Sequence, residues 1–179
     1  MVYFTNDFII PCHHNKFYIE IIQTLPQFIQ DYADNIIDEC TIISNQNNQR
    51  ICFFKKNNIL MYIPKSVLNL VSKNFLETMT TWKEKNEFDD ATQTILWTAE
   101  PNDSSLPIYA LKGKTVIKPG SQPLESIVHI EFDFVLSLDI KNNMLKYFIH
   151  QILEKRIPMI IYNQTKQIYI SFASYLNSS

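Results

Sequence analysis

Cys12-His13-His14 is the first group in this chain whose side chains could do chemistry. A thiolate and an imidazole are the usual soft metal ligands and the usual nucleophile and base. Their spacing argues for a surface loop after Pro11, because consecutive residues of an extended chain point to opposite faces and metal ligands normally skip two to four positions. A second group is His129, Glu131, Asp133 and Asp139, which share one parity of a single stretch. Two carboxylates beside an imidazole could bind a divalent cation or exchange protons, but the same alternation is what the solvent face of a half-buried strand shows. Cys12, His13, His129, Glu131 and Asp133 are therefore the candidate catalytic residues, and neither a metal centre nor a cofactor is expected. Trp82 and Trp97 are candidate partner-binding residues, since aromatic anchors dominate binding hot spots; the helical spacing of Trp82 equally fits a core position.

What is missing narrows the chemistry further. Two glycines, Gly113 and Gly120, are the only ones in 179 residues. Dinucleotide-binding G-x-G-x-x-G, the phosphate-binding P-loop and the G-x-S-x-G nucleophile elbow are consequently absent. Only two arginines, Arg50 and Arg156, accompany fourteen lysines, and the formal net charge is −2. Arginine is the bidentate reader of phosphate and guanine, so no nucleic-acid partner is expected. The short runs Lys55-Lys56 and Lys83-Glu84-Lys85 read as solvated tips. Three cysteines, an odd number without C-x-x-C spacing, suit a reducing, cytoplasmic setting without a disulfide framework. The first ten residues lack the basic region of a secretory signal, and no run approaches the roughly eighteen apolar residues of a membrane helix. With 46% hydrophobic and 19% charged residues, the chain should fold.

The elements that must position these residues follow from periodicity. Phe28, Ile29, Tyr32 and Ile36 recur at helical spacing over 25–39, and a preceding helix after Asn15 is expected to break at Pro26. Three apolar runs at 40–44, 50–56 and 59–63 predict a meander, with Asn57-Asn58 as a tight turn because asparagine tolerates positive φ. A helix from Pro64 to about Lys85 would carry Leu68, Val71, Phe75, Met79 and Trp82 on one stripe. Residues 86–122 read as loop-rich, interrupted by a strand at 94–99 and a hairpin turning at Lys112-Gly113. Seven apolar residues of one parity, Val128 to Ile140, predict a long half-buried strand. A helix with Met144, Leu145, Phe148, Ile149, Ile152 and Leu153 on one face follows, ending near Lys155-Arg156, and a hairpin over 157–172 turns at Asn163 to Lys166.

The fold expected is α+β: a single domain over residues 1–179 with a largely antiparallel sheet and about three helices packed on it. In element order alone it resembles the small secretion chaperones of bacterial type III systems. With no phosphate loop or paired catalytic motif, the first expectation for function is a non-catalytic protein-interaction module, an adaptor or chaperone-like subunit with a protein partner. A small enzyme using a Cys/His or Glu/Asp/His site is one alternative. The other is a small-ligand carrier, in which a curved sheet wraps apolar side chains round a cavity.

Overall fold

The alternation read from residue 128 onwards is a strand, β7 (Ser126–Leu136), in a computed structural model that describes residues 1–33, 36–56, 64–69, 80–102, 109–137 and 143–178. Val128, Ile130, Phe132, Phe134 and Leu136 are buried, while His129, Glu131 and Asp133 occupy the other face. The expected continuation through 138–140 lies outside the described residues. Six further strands complete the sheet: β1 (Val2–Ile10), β2 (Glu39–Gln46), β3 (Gln49–Lys55), β4 (Thr81–Asp89), β5 (Thr94–Pro101) and β6 (Tyr109–Pro119). They form one seven-stranded sheet in the order β1-β7-β6-β5-β4-β3-β2, with every pair antiparallel. The α+β class with an antiparallel sheet is as the sequence implied.

Four helices belong to the described chain: α1 (His14–Gln23), α2 (Leu25–Tyr32), the single turn α3 (Lys65–Leu68) and α4 (Asn143–Ser178). The break between α1 and α2 falls at Thr24, just before Pro26, where a residue without an amide hydrogen suits a first turn. Phe17, Tyr18 and Ile21 of α1 and Leu25, Phe28 and Ile29 of α2 are buried against the sheet and α4. At about 1.5–3 kcal/mol for each large apolar side chain taken out of water, these stripes hold both short helices in place.

Several expectations are corrected. Residues 157–172 are not a hairpin but the second half of α4, which runs through Pro158 and buries Ile157, Tyr162, Ile168, Tyr169 and Phe172. Pro158 has no amide hydrogen to give the Glu154 carbonyl, so α4 loses one internal hydrogen bond there. Met144 and Phe148, expected on the core face, are 83% and 58% exposed, while Ile149 and Leu153 of that face are buried. Of the helix expected over 64–85 only α3 is described, and residues 81–89 are strand β4. Trp82 therefore sits on a strand, its ring stacked 5.4 Å from that of Phe54. The loop-rich reading of 86–122 gives way to the end of β4, β5 and β6, with 103–108 outside the described residues. Gly113 is not at a turn but in mid-strand, opposite Trp97 on β5 and Phe132 on β7. Asparagine does build a two-residue hairpin turn, though at Asn47 and Asn48, where φ is 52° and 57°. The proposed turn at Asn57-Asn58 and the strand at 59–63 lie outside the described residues. The chain opens with strand β1 rather than a helix, so its element order departs from that of the secretion chaperones.

Candidate ligand-binding cavity

Alternation along β3 to β7 sends one side chain in two towards α4, and between these inner side chains and the helix lies a cavity. The centre of a water-sized sphere can move through about 160 Å³ of it. Its wall is mostly apolar: Leu25, Ile29, Phe54, Trp82, Ile95, Trp97, Ala99, Ile130 and Phe134 meet Ile157, Ile161 and Ile168 of α4. Pairing register explains how polar groups gather among them. Arg50 lies opposite Asn86, which lies opposite Trp97, which lies opposite Gly113. Cys52 lies opposite Glu84, and Glu84 opposite Ala99. Two neighbouring rungs of the sheet thus bring a guanidinium, a carboxyl, an amide and a thiol onto one inner face.

Each polar group has a definite job. Arg50 is 4% exposed, and its Nη1 donates to the carbonyls of Ile21 at 2.9 Å and Ile22 at 3.0 Å. Those are carbonyls of the last turn of α1, where a cation satisfies acceptors that the helix leaves open. Its guanidinium also sits 5.1 Å from the centre of the Phe88 ring. Glu84 accepts a hydrogen bond from Asn86 Nδ2 at 3.0 Å. Burial pushes its carboxyl above the ordinary glutamate value, against the opposing pull of Asn86 and the Arg50 charge. Glu84 is enclosed by protein yet only half-buried to solvent contact, because it faces the cavity itself. Burial and the nearby Glu84 charge raise the Tyr169 hydroxyl, and it meets Thr115, which also accepts from Trp97 Nε1 at 3.2 Å. Cys40 and Cys52 are buried free thiols in hydrogen-bond contact; that bond and burial raise Cys40.

The residues singled out from sequence are distributed differently. Trp82 and Trp97 both line the cavity. His129 and Glu131 are together, but on the outer face of the sheet. His129 Nδ1 is 2.5 Å from Asp7 Oδ1, and its Nε2 is 3.3 Å from Glu131 Oε2. Lys114 Nζ lies 2.8 Å from Glu131, and the Tyr3 hydroxyl donates to it at 3.1 Å. Lys114, His129 and Tyr3 hold the Glu131 carboxyl below its usual value, as partners of the ionised form do. Asp133 faces Tyr3 and Lys112 across the neighbouring strands. This cross-strand network is separated from the cavity by the sheet. Cys12 is buried just ahead of α1, where burial raises its thiol, and the His13 ring lies 4.4 Å from that of His14. Among the described residues no three His, Cys, Asp or Glu side chains converge as a metal site would require.

Sequence reasoning missed Arg50, Glu84, Asn86, Gln164 and Tyr169 as site residues. Glu84 was read with Lys83 and Lys85 as a solvated tip, whereas the three lie along β4 with Glu84 facing inwards. The available signal was parity: Trp82, Glu84, Asn86 and Phe88 alternate with Lys83, Lys85 and Glu87. Lys56 is a second correction of the same kind. It is 2% exposed and donates to the Ile36 carbonyl, and burial pushes its ammonium down.

In sequence, no protein-family model and no curated protein matches the chain. In structure, it has the helix-grip, or Bet v1-like, fold, an antiparallel sheet packed against one long helix. The ZhuI aromatase/cyclase from Streptomyces sp. R1128 superposes with a TM-score of 0.61 at 8% identity, covering 97% of this chain and 93% of that one. Ara h 8.0201 gives 0.61 at 12% identity, covering 99% of both. Norcoclaurine synthase from Thalictrum flavum, in complex with dopamine and hydroxybenzaldehyde, gives 0.59 at 9% identity, covering 97% and 87%.

These findings overturn the expectation of a non-catalytic protein-interaction module. The apolar face of the long strand is covered by α4 and forms part of a cavity wall. Solved structures of this fold include enzymes that act on small molecules. No helix among the described residues is long and apolar enough to cross a membrane.

Proposed function

We propose that this protein binds a small, largely apolar molecule inside the cavity between the sheet and α4. The observation that carries the reading is the cavity itself: an apolar wall interrupted by a few polar groups that converge from β3, β4, β6 and α4. That is the usual composition of a small-molecule site, in which apolar area supplies affinity and a few polar groups fix orientation. Dopamine and hydroxybenzaldehyde bound to a protein of the same fold support it. Native mass spectrometry of the purified protein tests it, together with titration of Trp fluorescence. Both tryptophans line the cavity, so an occupant must change their emission; emission indifferent to every small aromatic or aliphatic probe would sink the reading.

One observation favours a catalytic version. A carboxyl pushed up by burial beside a cavity is the form of acid that can give a proton to a bound molecule. In this reading Glu84 is the proton donor, with Asn86 holding it in place. Glu84→Gln would then abolish turnover while leaving binding intact, and loss of binding alone would return the protein to the carrier reading.

A further inference from the structure

Two donor nitrogens belonging to residues that line the cavity have no acceptor. Among the described residues, Nε of Arg50 and Nε2 of Gln164 are the buried side-chain atoms without a hydrogen-bond partner. Both residues line the same cavity, one from β3 and one from α4. Buried polar groups of folded proteins are almost always paired, and an orphan retains the full cost of its desolvation. Both are donors only: a guanidinium nitrogen and an amide nitrogen cannot accept. The group that would complete them must therefore offer acceptors, and two of them.

Charge narrows the choice. Arg50 is 4% exposed and gives its Nη1 hydrogens to neutral carbonyls, not to a carboxylate. A buried guanidinium is best compensated by an anion with planar, paired oxygens. The other polar side chains that line the cavity are Glu84 and Asn86 on β4, Cys52 on β3, Thr115 on β6 and Thr165 and Tyr169 on α4. Of these only Glu84 carries an opposing charge, and its enclosure disfavours that charge. Size supplies the remainder. About 160 Å³ is close to the engineered apolar cavity of about 150 Å³ that accepts benzene, so one aromatic ring fits between Trp97, Ile130 and the isoleucines of α4.

We infer that the ligand is a single-ring aromatic carboxylate whose two oxygens accept hydrogen bonds from Arg50 Nε and Gln164 Nε2. This rests on the ligand-binding reading above. The chemistry is recognition alone, with no bond made or broken. Glu84 is the polar neighbour that must take up a proton or move aside when the second carboxylate enters, so binding tightens as pH falls.

Four probes of equal ring size test the inference on the intact protein by calorimetric titration: benzoate, benzaldehyde, toluene and benzylamine. Benzoate should bind at least about tenfold more tightly than toluene and more tightly than benzaldehyde, and benzylamine least of all. Gln164→Leu removes one orphan donor without opening a hole, so the variant should fold. It should weaken benzoate about five- to tenfold relative to toluene. Arg50 also fastens α1, which makes Gln164 the decisive position. Benzoate binding no tighter than that of toluene or benzaldehyde, or unaltered in Gln164→Leu, overturns the inference while the cavity reading survives. Failure of all four probes overturns both.

Discussion

Arg50 joins two tasks that are usually separate. It closes the last turn of α1 through two carbonyls, and it places a positive charge beside the Glu84 carboxyl. Arg50→Met keeps the apolar stem but leaves both carbonyls without donors, and should cost about 2–4 kcal/mol in urea unfolding. Glu84 has the opposite character. Its folded-state pKa is raised, so the protonated carboxyl favours the folded state. That contribution is complete below the ordinary glutamate value of 4.5 and is lost as pH rises through the raised one. Glu84→Gln retains an acceptor for Asn86 and removes the titration. Its melting temperature should therefore gain on that of the parent as pH is raised from 4 to 8. A parallel pair of curves would show that Glu84 does not titrate differently in the folded chain. Glu131, held low on the outer face, works in the other sense: its stabilising pairs with Lys114 and His129 are lost as pH falls.

At the scale of elements, one of the two glycines acquires a meaning that counting could not give. Gly113 adopts ordinary strand geometry, and space is the reason it has no side chain. A Cβ there would lie 2.5 Å from Phe132 Cβ and 2.7 Å from Trp97 Cζ2, and against the Glu131 carbonyl. The Trp97 ring occupies the room left by Gly113 and is thereby held over the cavity. Gly113→Ala should destabilise the sheet by about 1–3 kcal/mol and shift Trp emission, both measurable in one denaturant titration. Strand β7 was legible because it follows one period without interruption, whereas residues 16–24 carry both an alternating and a helical pattern, and α2 ends at Tyr32, short of the helix expected to 39. Helix α4 was not legible beyond Arg156, because Ile160, Ile161, Ile168 and Ile170 give it the β-branched content of a hairpin. Yet Leu153, Ile157, Ile161, Ile168 and Phe172 keep helical spacing throughout. The cavity was illegible for a different reason. Polar residues on an inner face carry the same pattern as residues on a wet one, and only the pairing of β3 with β4 shows which face Glu84 and Arg50 share.

Across the whole molecule, the cavity sets stability against binding. Unfilled apolar space forgoes contacts at about 24 cal/mol per Å³, so a cavity of about 160 Å³ leaves on the order of 4 kcal/mol unrealised if it stays empty and dry. The sheet can tolerate this because the remaining core is continuous from Phe8 and Ile10 through Phe132 and Phe134 to Leu153 and Phe172. Ala99 is the position at which the two demands can be separated. It lies opposite Glu84, is buried, and presents only a methyl group to the cavity. Ala99→Leu adds three carbons to the cavity wall without removing any of the polar groups. The unliganded variant should melt higher, by the few degrees that about 1 kcal/mol gives a domain of this size. It should also lose the stabilisation that an apolar occupant confers on the parent, which reaches about 2.7 kcal/mol when the ligand stands at a hundred times its dissociation constant. Calorimetric melts of both proteins, with and without ligand, separate the two effects. A variant that gained stability and still responded fully to ligand would place the binding site elsewhere in the fold. One that lost stability would mean that the space beside Ala99 is already closed.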